Sequence, residues 1–230
     1  MGLKANNQAA NSSKFKKPEA LEAGGYPGRL VQVLDFGLQP QRAYQGQEKE
    51  PAHEIHVTYE LSDEFLKDEE GNDLTDKPRW ISETFPLYSM QADLAKSTKR
   101  AKAIDPSNSA DGDWSQMLTL PCTITVVVNK GKDGKDYENV GNVTTIRPKD
   151  AAKLPELVNK PRFFDLTEPD LEIFNKLPQW IKDKIVGNLE YPGSLLEKLL
   201  KGDAPKATPK KKEAVVEAPE APAEESDVPW

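Results

Sequence analysis

The clearest pattern in the chain is the alternation from His53 to Leu61, where Ile55, Val57, Tyr59 and Leu61 fall on one face and Glu54, His56, Thr58 and Glu60 on the other. A period of two with one apolar face predicts a half-buried strand, with Tyr59 in the core. Arg29 to Phe36 (RLVQVLDF) predicts an earlier strand, and its length suits a curved one that serves two sides of a barrel. Between the two, Gly37 to Pro51 is polar and rich in Gly, Pro and Gln, which predicts a loop. Ser62 to Lys77 reads as an acidic loop, and Arg79 to Leu87 as a third strand whose regular pairing stops at Pro86.

The period then changes. Gln91 to Ile104 has helical composition, with Leu94, Ala95 and Thr98 on one side and the cluster Lys96, Lys99, Arg100 and Lys102 mostly on the other. Thr123 to Asn129 and Tyr137 to Ile146 predict a β-hairpin, closed through Asp133-Gly134, with Pro148 ending the last strand. Beyond it, helical pieces are expected at Pro169 to Lys176, Pro178 to Gly187 and Ser194 to Leu200, with Leu177, Trp180, Ile181 and Ile185 spaced as one buried face.

Three strands, a helix and a two-stranded hairpin is the element order of a five-stranded OB-like Greek-key barrel with a helix between strands 3 and 4. The expected fold is therefore mainly β with α. Its expected divisions are a flexible basic arm at 1–23, the barrel at 24–149, a small helical annex at 150–200, and a disordered linker and acidic tail at 201–230.

Charge sharpens these divisions. The chain of 230 residues carries a formal net charge of −7, and six of its acidic side chains lie between Glu213 and Trp230 with no basic one among them. Without that segment the body is close to neutral, which fits a protein whose cations are gathered locally. Lys4, Lys14, Lys16 and Lys17 make the opening segment basic. The Ala/Pro/Glu composition beyond Lys201 is too poor in apolar side chains to offset the entropy of ordering. Single Cys122 leaves no internal disulfide, and with only His53 and His56 beside it structural zinc is not expected. No apolar run reaches spanning length, so the expectation is a cytoplasmic protein without a membrane partner, in the host cytoplasm if phage-encoded.

The succession GGYPGRLVQVLDFG, PRWISETFPLY and LPCTITVVVNKGKDGKDYENVGNVTTIRPK resembles a family of bacteriophage single-stranded DNA-binding proteins with an OB fold, over about residues 24 to 150. Asp227-Val228-Pro229-Trp230 is similar to the Asp-Ile-Pro-Phe ending of bacterial single-stranded DNA-binding proteins. The resemblance implies a role in DNA replication, recombination or repair. It also implies a tail that recruits replication or recombination proteins and competes with DNA for the basic groove.

A single-strand site needs cations for the backbone and aromatic faces for the bases. The candidates are Arg29, Arg42, Tyr44, His56, Trp80, Lys130, Lys132, Lys135 and Tyr137. Trp80 and Tyr137 fit either a core position or a stacking platform, and the three lysines fit either phosphate contact or plain solvation of a turn. Asp227, Val228, Pro229 and Trp230 are the partner-binding candidates, the Trp as an aromatic anchor. Asp68, Glu70, Asn72 and Asp73 offer oxygen ligands without EF-hand spacing, and there is no P-loop, nucleotide-binding glycine fingerprint or nucleophile with a histidine partner. No metal, cofactor or catalytic residue is expected. Homo-oligomerisation is compatible with the sequence, and the alternative to DNA binding is an OB-fold adaptor in a replication or recombination complex.

Overall fold

The computed structural model describes residues 20–43 and 45–203. Its strands are β1 (Gly24–Gln39), β2 (Ala52–Lys67), β3 (Asp73–Pro86), β4 (Pro121–Lys130), β5 (Asp136–Thr144) and β6 (Arg162–Phe164). Its helices are α1 (Lys96–Ile104), α2 (Pro148–Ala151), α3 (Leu171–Lys176), α4 (Gln179–Val186) and α5 (Leu195–Lys201). The antiparallel sheet runs β3-β2-β1-β4-β5 and curls into a half-barrel, with β6 added parallel to β1.

β1 organises this sheet because it is long enough to hold three partners. One edge pairs with β2 from Gly28 to Gln39, while the other pairs with β4 from Gly24 to Arg29 and then with β6 from Gln32 to Leu34. At Gly28, between β2 and β4, a Cβ would meet the Glu60 carbonyl oxygen at 2.5 Å and Ile124 Cδ1 at 2.8 Å, so only glycine fits there.

The alternation of β2 holds: Ile55, Val57, Tyr59 and Leu61 enter one core with Leu30, Ile81, Phe85, Ile124 and Val126. Two expectations are corrected around it. Ser62 to Lys77 is not a loop, since β2 and β3 continue as a projecting hairpin that turns over Asp68 to Asn72. Helix α1 starts at Lys96, five residues later than expected, which leaves Leu94 in a turn at 87% exposure and rotates Arg100 into the interior.

No backbone pairing joins β3 to β5 among the described residues, so side chains close that side of the half-barrel. Arg79 on β3 binds both oxygens of Glu138 on β5 at 2.9 and 3.1 Å, and Glu138 also accepts the Leu21 amide at 2.7 Å, seating buried Leu21 in the core. Arg100 from α1 spans the same gap, from Glu83 on β3 to Asn142 on β5.

A second cluster lies on the opposite face of β1, where Leu34 and Phe36 pack with Phe164, Phe174, Leu177, Ile181, Ile185 and Leu196. Helices α3 and α5 start where their caps allow. Asp170 accepts from the Glu172 and Ile173 amides, and Ser194 accepts from the Glu197 amide. Trp180, expected in this buried face, is 57% exposed.

Candidate nucleic-acid interface

Polar side chains on the outer face of β2 and β3 pair rung by rung. His56 Nδ1 lies 2.8 Å from Thr84 Oγ1, Thr58 Oγ1 lies 2.9 Å from Ser82 Oγ, and Trp80 Nε1 donates to Glu60 Oε2 at 3.1 Å. The β2 half of each rung is buried, whereas Ser82 and Thr84 are exposed and Trp80 is half-buried. Solvent therefore reaches this face mainly along β3.

Two structures cover the β2 half. One is the segment Leu154–Pro161, a strap between α2 and β6. Glu60 binds it by accepting from the Val158 amide at 2.7 Å, the Asn159 amide at 3.3 Å and Asn159 Nδ2 at 2.7 Å. Arg29 holds its other end, donating to the carbonyls of Pro155, Leu154 and Thr119. The other cover is α4, whose Trp180 meets the His56 ring edge-on at 5.5 Å while Phe36 stacks beneath it at 5.3 Å.

The β4–β5 hairpin has the opposite character. Lys130, Lys132, Lys135 and Tyr137 are all exposed, and the Tyr137 ring lies across Gly131 where a Cβ would collide with it. Asp133 fixes the turn by accepting from the Lys135 amide and from the Tyr137 hydroxyl at 3.0 Å, which hold its carboxyl below the usual range, and it pairs with Lys135 at 3.2 Å. The result is a pre-set aromatic face beside the exposed Lys130 and Lys132, with the Lys135 ammonium held by Asp133. Because Arg79 and Glu138 touch across the seam, the neighbouring Trp80 and Tyr137 occupy the outer faces of the two strands that flank it.

The nine expected residues thus separate into groups. Lys130, Lys132, Lys135 and Tyr137 come together on the hairpin, with Trp80 across the seam. Arg42 is exposed in the β1–β2 loop, and Tyr44 lies outside the described residues, as do Asp227, Val228, Pro229 and Trp230. Arg29 and His56 are engaged inside the fold, the first by three carbonyls and the second by two rings. Two cations missed from the sequence are Arg162, which stands over the Trp80 ring, and Lys160, two residues before it. Their signal was the excess of basic over acidic side chains from Arg147 to Arg162.

The helical cations are mostly spent internally. Arg100 and Lys96 pair with Glu83 at 2.8 and 2.6 Å, and Lys102 pairs with Asp93. Asp68, considered as an oxygen ligand, closes the β2–β3 turn by accepting from the Glu70 and Asn72 amides. Among the described residues no cluster of His, Cys, Asp and Glu is arranged to hold a metal, and no helix is long and apolar enough to cross a membrane. Burial pushes the Cys122 thiol up to about 12, so it stays protonated.

No protein-family model matches the chain, and no curated protein matches it significantly. The site rests on its own geometry.

The two histidines give this face a pH signature. Burial lowers His56 to about 4, so between pH 6.5 and 4 the unfolded chain takes up a proton that the folded one refuses. Stability is full above 6.5 and falls by about 3 kcal/mol as the pH drops to 4. His53 has the opposite sign. Its hydrogen bond to Asp35 raises its pKa, so its contribution is complete below 6.5 and fades as pH rises through the raised value. Both contributions are therefore largest together near pH 6.5. Urea unfolding at pH 6.5, 5 and 4 should show the acid loss, and His56→Gln should remove most of its excess over the carboxylate background. An unchanged slope in that variant would contradict the assignment.

Proposed function

We propose that the protein binds single-stranded DNA without strong sequence preference, using an OB-like barrel in DNA replication, recombination or repair. The strand order β3-β2-β1-β4-β5, with α1 between β3 and β4, supports the OB reading. In that architecture the face of strands 2 and 3 and the loops joining strands 1–2 and 4–5 contact oligonucleotides. The observation that carries the proposal is the β4–β5 hairpin, where three exposed lysines surround a fixed tyrosine face across the seam from Trp80. Lysines track the backbone electrostatically, and the rings stack bases of any identity at about 1–3 kcal/mol each. Under this proposal α2 to α5 form a C-terminal annex, and the acidic segment ending at Trp230 recruits partner enzymes.

The test is titration of labelled oligo-dT with the wild type, with Lys130→Gln/Lys132→Gln/Lys135→Gln, and with Trp230→Ala. The triple variant should bind at least tenfold more weakly, with a salt slope reduced by about 2 at roughly 0.7 per lost phosphate contact. Trp230→Ala should bind DNA like the wild type while losing partner capture. Equal binding by the triple variant would remove the hairpin from the site.

One observation favours an adaptor as the second reading. Helices α4 and α5 and the turn between them leave Trp180, Leu189 and Leu195 exposed, a surface suited to another protein. An adaptor would give no oligo-dT shift at micromolar protein.

A further inference from the structure

We infer that the strap Leu154–Pro161 and the start of β6 are a second part of the nucleic-acid site, in which Lys160 and Arg162 take phosphates beside bases packed against the Arg162–Trp80 stack. This inference rests on the single-strand-binding reading and extends it to residues outside the curled five-stranded sheet.

The indole is pre-positioned. Its Nε1 donates to Glu60, a buried carboxylate that also accepts from Val158 and Asn159 of the strap. One side chain thereby fixes both the aromatic face and the segment that carries the cations. Arg162 lies over that ring with its guanidinium carbon 5.7 Å from the centroid. Among the described residues neither Arg162 nor Lys160 has a carboxylate partner, unlike Arg79, Arg100 and Arg147. An arginine held only by an aromatic face retains its hydrogen-bond donors for a phosphate.

Lys160 and Arg162 are two residues apart where the strap enters β6, one on each side of Pro161. That spacing suits consecutive phosphates of an extended single strand. Beside them opens a cavity of about 470 Å³ lined by Arg29, Thr119 and residues 156–161, within the size range of small-ligand sites, roughly 300–1,000 Å³. A smaller cavity of about 180 Å³ lies under the strap, with Phe65, Pro78 and Leu157 in its wall. Lys160 lines the larger cavity, and Arg162 follows it two residues later at the start of β6. Glu156, which lines both cavities, is the one acidic residue of the strap and opposes the phosphate.

The test compares wild type, Lys160→Gln/Arg162→Gln and Glu156→Gln by oligo-dT titration over a salt series. A bromodeoxyuridine-substituted oligonucleotide, crosslinked by light, then locates the contacts by mass spectrometry. The double variant should bind about tenfold more weakly, with a salt slope reduced by about 1.4 for two lost contacts, and should melt within a degree or two of the wild type. Glu156→Gln should bind more tightly, and crosslinks should fall on the peptide holding Trp80. If the double variant melts lower but binds like the wild type, Arg162 is a structural brace and the inference is overturned. If strap variants and crosslinks show nothing while the hairpin triple variant weakens binding, this inference fails and the proposed function stands. If the wild type itself fails to bind oligo-dT, both fall.

Discussion

Arg100→Ala is expected to destabilise the fold by about 3–5 kcal/mol, the cost of leaving a buried charge without its partner. Arg100 and Glu83 each have side chains 5% exposed. The guanidinium donates to Glu83 Oε1 at 2.8 Å and Oε2 at 3.3 Å, to Asn142 Oδ1 at 2.7 Å and to the Gly141 carbonyl at 3.3 Å. Its removal leaves Glu83 facing the Tyr59 hydroxyl and the half-exposed Lys96, and opens the side of the half-barrel where β3 and β5 do not pair. The Tyr59 hydroxyl, already pushed well above its usual range by burial beside Glu83, offers no countercharge. Replacing the pair with apolar side chains, as in Arg100→Met/Glu83→Leu, should recover most of the loss, because desolvation of both ions then disappears. Urea unfolding followed by circular dichroism measures both. A loss below 1 kcal/mol for Arg100→Ala would mean that Lys96 alone satisfies Glu83.

Phe164→Ala is expected to cost about 3–5 kcal/mol, through lost burial and the cavity left behind. Phe164 is fully buried, pairs in register with Leu34, and meets Phe174 at 5.8 Å between ring centroids. It is where three-residue β6 joins the helical cluster to β1. The two cores are separate, so the effect should be local. Amide exchange should quicken in α3, α4 and α5 before the five antiparallel strands lose protection. Uniform loss across both cores would contradict the separation.

These two residues also mark the limit of what the sequence displayed. The strand from His53 to Leu61 was legible because its inward face is wholly apolar. Arg100 was not, because helical periodicity assigns a charge to solvent. Its partner did leave a signal, since Glu83 shares the inward parity of Ile81 and Phe85 and a buried carboxylate requires a cation. The β2–β3 extension was missed because Asp, Glu and Lys are poor strand formers, and a projecting hairpin needs no apolar face. With three residues β6 is too short to show a period, so the strap it anchors, and with it Lys160 and Arg162, had no strand pattern to place them. In the candidate site, the hairpin and its exposed lysines were legible from turn chemistry around Asp133-Gly134, whereas for Tyr137 the sequence left core and surface positions equally open. The engagement of Arg29 and His56 was not legible, because the carbonyls of Leu154 and Pro155 and the Trp180 ring reach them from remote parts of the sequence, the strap and α4.

The most direct measurement is the affinity of the full chain for labelled oligo-dT against a duplex of equal length, from low to moderate salt. A clear preference for the single strand is expected, with a steep fall in its affinity as salt rises. No shift of oligo-dT at micromolar protein, or equal affinity for the duplex, would contradict it.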